Sequence, residues 1–330
     1  MPSANVNLPI PLTRVNPMFP GQFGVPGTSN KTGLRTHCTG AVFYVDPNAA
    51  GADDARDGTD PNCAFETLQA AVDACTSWRG DVIYVMANND SQYGPGGTDY
   101  ALCIDEDVTV TKHGIRIVGV AQSSTLGVMW RPATAGGIAC LITGFDVLVE
   151  GFCFYGSLLG GGGTGISCVW DGVTDWGENT VIRNCFFGDD IDIGIQLEYS
   201  WNCYIYDNEF QMCDDAGIYC DPADSPMEYC TIKDNIFMDV GLGGTGAMAI
   251  SEAEGCTIKN NTIFNATAEA GGACTNEGIN TGAGGGGNMV VGNYFSCASG
   301  AVWNDFCTAD ALDSYCGNYL VDGISVVAPT

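Results

Sequence analysis

TIKDNIF at residues 231–237 is followed by TIKNNTI at 257–263, and this near-repeat decides the fold. Outward from it, the same pattern reappears as VIRNCF from 181, IYDNEF from 205, VVGNYF from 290 and YCGNYL from 315. One asparagine anchors each copy: Asn184, Asn208, Asn235, Asn261, Asn293 and Asn318, at steps of 24, 27, 26, 32 and 25 residues. Three positions earlier stand Val181, Ile205, Ile232, Ile258, Val290 and Tyr315; two later stand Phe186, Phe210, Phe237, Ile263, Phe295 and Leu320. Five positions before the anchors are Asn179, Cys203, Cys230, Cys256, Asn288 and Asp313. A period of this length marks stacked structural units that share one continuous core.

Each column has a physical reading. If every copy is one turn of a coil of short strands, successive turns lie about 4.8 Å apart and like residues stack on like. Branched and aromatic columns then face the interior. Asparagine tolerates the left-handed backbone of a bend, and its amide bonds the amides above and below. The length variation falls after the Phe column and before Gly194, Gly217, Gly246, Gly278 and Gly300, so the insertions gather on one side of the coil. Upstream, GIRIVGV (114–120) and VLVEGFCF (147–154) read as degenerate earlier turns.

The opening is different. Residues 41–45, AVFYV, read as a strand, and an acidic Gly-containing loop follows at 53–62. In CAFETLQAAVDAC (63–75), Phe65, Leu68, Ala71, Val72 and Cys75 form one apolar stripe, which predicts a helix within this stretch. DVIYVMA (81–87) reads as a buried strand. Residues 1–40 contain six prolines and no useful periodicity, hence an extended arm. Its eight apolar residues, Ile10, Leu12, Val15, Met18, Phe19, Phe23, Val25 and Leu34, predict that it orders against a neighbour. The division is therefore 1–40 arm, 41–80 opening strand, acidic loop and capping helix, and 81–330 coil.

Charge follows the same division. The chain has 11 bases and 39 acids; Arg14, Lys31 and Arg35 precede the first acid, Asp46, so the first 45 residues carry +3. A body this acidic repels nucleic acid and anionic membranes. No cationic-then-apolar leader opens the sequence and no apolar run approaches ~18 residues, so neither a signal peptide nor a membrane span is expected. Seventeen cysteines in a long chain without a leader predict reduced, buried thiols.

The opening strand, Asp/Gly loop, helix, strand and following turns resemble the pectate-lyase-like right-handed parallel β-helix superfamily over about residues 41–330. The resemblance implies an all-β parallel β-helix whose N-terminal α-helix (64–78) caps the first turn. It does not fix function, because the family spans lyases, hydrolases, adhesins and viral proteins.

Candidate chemistry is sparse. Asp190 and Asp214 each lie six residues after an anchor, so in register they stack one turn apart and suit the carboxylate pair of a retaining glycosidase. With Asp189, Asp192, Asp215 and Asp221 beside them, a solvated acidic face or a Ca²⁺ site with oxygen ligands is the other reading. The Arg and His motifs of pectate lyases and polygalacturonases are missing, and after Arg131 the only bases are Arg183, Lys233 and Lys259. Cys203, Cys230 and Cys256 form a ladder within disulfide range, read as buried thiols; with no Cys-x₂-Cys and no His joining it, no metal is assigned and no cofactor is expected. Trp170, Trp176 and Trp201 serve either sugar stacking or packing. A β-helix with a Pro-rich arm and no enzyme signature resembles virion proteins of tailed bacteriophages. The resemblance implies a non-enzymatic, trimeric capsid decoration or cement protein, made in the host cytoplasm. Its arm, through Arg14, Phe19, Phe23, Lys31 and Arg35, binds the major capsid protein or another virion protein. The sequence stops a few residues after Asn318, which favours decoration over a tailspike with a further C-terminal domain. A glycan-binding or glycan-cleaving spike and a polysaccharide lyase or hydrolase are the alternatives.

Overall fold

The computed structural model describes residues 40–321 apart from positions 48, 50, 87–102, 121–127, 158–161, 171, 173–176, 189, 221–225, 242–245, 266–272, 275–277, 283–284, 298–301, 304–306 and 309–311. Nearly all of the expected arm, with Arg14, Phe19, Phe23, Lys31 and Arg35, lies outside them, as do Trp176, Asp189 and Asp221.

The chain winds as a coil with three strand-bearing sides. Among the described residues the first sheet has ten strands, from Val42–Val45 to Ser314–Cys316; the second has nine, from Cys103–Asp105 to Tyr319–Val321; the third has eight, from Val108–Val110 to Cys307–Thr308. One turn shows the path: Thr231–Lys233 in the first sheet, Ile236–Met238 in the second, Gly246–Ile250 in the third, then back to Thr257–Lys259. Each strand pairs in parallel with its counterpart one turn away, so every sheet grows along the coil axis.

Stacking fills the interior. On the first sheet Ile83, Ile117, Val149, Ile182, Ile205, Ile232, Ile258 and Val290 share one inward register column, all fully buried. β-Branched side chains suit this column because it is flat and closely spaced. On the second sheet Phe154, Phe187, Phe210 and Phe237 stack as near-parallel rings, with centroids 5.0, 4.8 and 4.6 Å apart. Opposite them runs a column of glycines. A Cβ on Gly194 would lie 2.7 Å from the Phe210 ring, and one on Gly217 2.7 Å from the Phe237 ring. The aromatic column therefore dictates the glycine column.

The sequence alignment slips by one residue in its first copy. Ile182, not Val181, pairs with Ile205, and Phe187, not Phe186, pairs with Phe210. Cys185 accordingly stands where Asn184 was expected: its backbone amide donates to the Asn208 side chain, 23 residues on. Asn184 is exposed and donates to Glu150. Gly246 slips likewise; it pairs with Ala216, and Ala247 stands in the glycine column.

The opening helix is shorter than predicted, Leu68–Ala74. Phe65 forms a parallel bridge with Val45, which holds the preceding residues out of the helix. At its start the Thr67 hydroxyl accepts from Ala70 N, and the Glu106 carboxylate accepts from the amides of Leu68 and Gln69, so helix donors that lack partners within the helix are satisfied. The stripe residues Phe65, Leu68, Ala71, Val72 and Cys75 all join the core. Asp81, fully buried, ties this region together: it accepts from Ala41 N and Thr76 N and pairs with Arg79 at 2.6 Å. Burial would raise its carboxyl; the Arg79 guanidinium and the two amides outweigh that and hold it below the ordinary range. Among the described residues no helix is long and apolar enough to cross a membrane.

Candidate functional site

Three corners join the sheets, and each places a different kind of side chain. Between the first and second sheets lies the asparagine ladder. Asn208, Asn235, Asn261, Asn293 and Asn318 are buried, and each of the first four backbone amides donates to the next asparagine's Oδ1 at 2.9–3.0 Å. Each Nδ2 also donates to a carbonyl of the turn before, from Ile182, Ile205, Ile232, Ile258 and Val290. The left-handed backbone expected of these asparagines belongs instead to the residue before each of them: Asp207, Asp234, Asn260, Gly292 and Gly317 have φ between 55° and 68°. That residue turns the chain, and the next one fills the bend.

Between the third and first sheets the cysteine ladder does the same task with sulfur. Cys203 N donates to Cys230 Sγ at 3.3 Å, and the thiols of Cys203, Cys230 and Cys256 reach carbonyls of Gly177, Ser200 and Met227 in the preceding turn. Higher up, Asn288 and Asp313 take over the column, with Cys256 N bonded to Asn288 Oδ1 and Asn288 N to Asp313 Oδ1. The three cysteines are unpaired and buried. Hydrogen bonding to Cys203, together with burial, holds the Cys230 thiol well above its usual range, and the Cys230 contact and burial raise Cys256. Thiols held protonated are inert, as suits a structural column.

Between the second and third sheets lies the acidic corner with the candidate carboxylate pair. Asp190 and Asp214 are both exposed, but they are not in register. Asp190 takes the left-handed turn position, like Met212 one turn on, whereas Asp214 N bonds Ile191 O, which sets Asp214 opposite Asp192. The count misleads because Cys185, not Asn184, fills the first bend, which leaves Asp190 five residues and Asp214 six residues after their bends. Asp192 is anchored by Gly163 N, which donates to its Oδ2 at 2.8 Å. Partial burial, then Asp192, Asp190 and Asp215 in turn, push the Asp214 carboxyl above its ordinary value. The stacked carboxylates are therefore Asp192 and Asp214, with Asp190 and Asp215 at the edges. Among the described residues no group of three or more His, Cys, Asp or Glu is arranged to hold a metal ion.

The sequence did not show where the late bases fall. Arg183, Lys233 and Lys259 share one outward column of the first sheet with Tyr206. Arg183 pairs with Glu150 at 2.7 Å and donates to Tyr206 Oη at 2.9 Å; Lys233 pairs with Asp234 and lies 4.9 Å over the Tyr206 ring. Arg183 is thus engaged on a sheet that does not border the acidic corner. The signal was present, since Arg183, Lys233 and Lys259 all follow an inward Ile182, Ile232 or Ile258 by one residue.

The model of the family described as right handed beta helix region matches residues 113–295, more than half of the chain. The chain belongs to the right-handed β-helix family. No curated protein matches it in sequence. Among solved structures the β-helix is similar to a rhamnogalacturonan lyase, with 14% identity, TM-score 0.47 and coverage of 88% of this chain and 90% of that one. It is similar to the GH136 lacto-N-biosidase from Eubacterium ramulus, with 12% identity, TM-score 0.37 and coverage of 85% and 68%. It is also similar to ORF18 of Geobacillus virus E2, with 13% identity, TM-score 0.28 and coverage of 84% and 62%. Likenesses this distant concern the fold alone.

Proposed function

We propose that this β-helix is a structural virion protein of a tailed bacteriophage, a capsid decoration or cement protein held to the particle by residues 1–40 and associated with its own copies as a trimer. The observation that carries the reading is the self-sufficiency of the coil's start. Phe43, Val45, Phe65, Leu68 and Val72 are buried together there, so the first turn has a core of its own. Burying the eight apolar residues of the basic arm against another protein would contribute ~1.5–3 kcal/mol for each one fully buried. Arg14, Lys31 and Arg35 add a weaker, salt-screened attraction to an acidic partner. Immunogold labelling of the virions tests the reading: gold distributed over the capsid supports it, and gold confined to the tail tip overturns it. Adding the purified protein to particles that lack it, with and without residues 1–40, tests the anchor; binding that survives the truncation removes the arm's role.

One observation favours a second reading, a glycan-cleaving spike. The stacked Asp192 and Asp214, with the Asp214 carboxyl raised, resemble the unequal carboxylates that glycoside hydrolysis needs. Depolymerisation of a host surface polysaccharide that stops in Asp214→Asn and Asp192→Asn, and survives Asp190→Asn, selects this reading over the structural one.

A further inference from the structure

At the corner where the third sheet returns the chain to the first, aromatic side chains face outward on successive turns. Trp170 meets Tyr199 edge to face at 5.6 Å, and Trp201 meets Tyr229 edge to face at 6.2 Å. Trp170, Trp201 and Tyr229 are 39%, 41% and 60% exposed. Tyr229 is not loose. It has φ 53°, and its backbone amide donates to Glu254 O at 2.8 Å. A Cβ on Gly255, one turn on, would sit 2.9 Å from Tyr229 Cδ1 and Cε1, so the ring rests against the glycine. Gly255 and Trp201 hold the ring, and the residue stays largely exposed. Carboxylates accompany the rings: Trp201 pairs across the turn with Glu228, and Glu228 with Glu254.

We propose that this corner binds a chain of neutral hexopyranose units, stacked on Tyr229 and Trp201, with Glu228 and Glu254 accepting hydrogen bonds from sugar hydroxyls. Each part of the corner answers to the ligand's chemistry. The C–H face of a pyranose is apolar and flat and stacks on an aromatic ring, while its hydroxyls need acceptors at the ring's edge, which the two carboxylates supply. Trp201 and Tyr229 stand on successive turns with ring centroids 6.2 Å apart, close enough for neighbouring sugar units of one chain to meet both. The Gly255 backbone holds the Tyr229 ring in place before the ligand arrives, which lowers the ordering cost of binding. The chain carries 39 acids, and Glu228 and Glu254 lie at the site itself, so uronates and other anionic sugars are repelled. The site is separate from the acidic corner and independent of the attachment proposed for residues 1–40.

The test is native affinity electrophoresis of the full chain in gels containing hydroxyethylcellulose, galactomannan or dextran, and in parallel gels containing alginate or polygalacturonate. The expected result is retardation by at least one neutral polysaccharide and by neither acidic one. Tyr229→Ala and Trp201→Ala should each weaken it about ten-fold. Titrating the retarding polysaccharide into the unmutated protein should change tryptophan fluorescence to saturation, a reading that holds even if a variant folds poorly. No retardation in any neutral gel overturns the proposal, as does retardation unchanged by both substitutions or seen only in acidic gels. Mass photometry supplies the remaining outcome: if Tyr229→Ala dissociates an oligomer without altering retardation, the corner belongs to a second copy of the chain and the sugar site is wrong.

Discussion

The bend between the first and second sheets and the corner between the second and third lie a few residues apart in every turn, yet they obey different rules. From Arg183 to Phe186, Tyr206 to Glu209, Lys233 to Ile236, Lys259 to Thr262, Val291 to Tyr294 and Cys316 to Tyr319, two residues separate the strands in each turn, whereas in the turn before them only Gly151 separates Glu150 from Phe152. At the neighbouring corner the spacing changes from turn to turn, as between Phe187 and Ile193 or Met238 and Gly246. The bend is fixed because its second residue is buried and must meet the amide above and below; an extra residue would leave several buried donors without acceptors. The corner has no such ladder, so insertions cost little there, and the acidic cluster collects on it.

The largest break in this comparison comes from charging each side. Phe237→Asp buries a carboxylate between the Phe210 ring and Ile263 and should leave no soluble, cooperatively melting protein, whereas Met212→Asp at the exposed corner should shift the melting temperature by no more than about 2 °C. Circular dichroism melts compare the two, and a folded Phe237→Asp protein would refute the register of the second sheet. Next, Asn261→Ala removes the acceptor of Asn235 N and Nδ2 and the donor to Ile232 O. It should cost about 2–4 kcal/mol in urea unfolding. A loss below about 1 kcal/mol would mean that water replaces the ladder.

Gly217→Ala should cost about 1–3 kcal/mol by pressing on the Phe237 ring. Paired with Phe237→Ile it should cost less than the two separate losses combined. The chain already makes this exchange one turn on, where Ala247 is in the glycine column and Ile263 pairs with Phe237. The smallest effect belongs to the corner. The Asp214 carboxyl is raised in the fold, so folding takes up its proton most readily. That contribution is fully present below the unfolded value and is lost as pH rises through the raised one. Asp214→Asn should therefore raise the melting temperature slightly at pH 7, by no more than about 1 °C, and leave it unchanged near pH 3. A clear fall at pH 7 would show the carboxylate to be a structural acceptor.

These contrasts also explain what could be read from the sequence. The columns from Asn208 to Asn318 were legible because every member is buried under the same constraint. The first copy misled because VIRNCF offers an asparagine one position early, and only the pairing of Ile182 with Ile205 shows that Cys185 fills the bend. A thiol can take the place of an amide there, and no spacing rule anticipates that. The helix stripe was legible and its start was not, since Phe65 was claimed by a bridge to Val45, far away in sequence. The carboxylate pair was misassigned for the same reason as the first copy: counting six residues from Asn184 starts one position early, and Asp190 lies only five residues after Cys185. Tyr229 could not be picked out at all, because what sets it apart is the bare glycine one turn on.

The asparagine ladder has a mechanical consequence. Its bonds, like those of the sheets beside it, run along the coil axis, and every amide points the same way. A pull along the axis therefore loads one turn at a time, and the coil should peel from an end at a modest, nearly constant force, like a zip. A squeeze from the side meets the close-packed rings of Phe187, Phe210 and Phe237 all at once. The rod is stiff across its width and extensible along its length, so it would absorb tension by surrendering whole turns and regain them when the load is released.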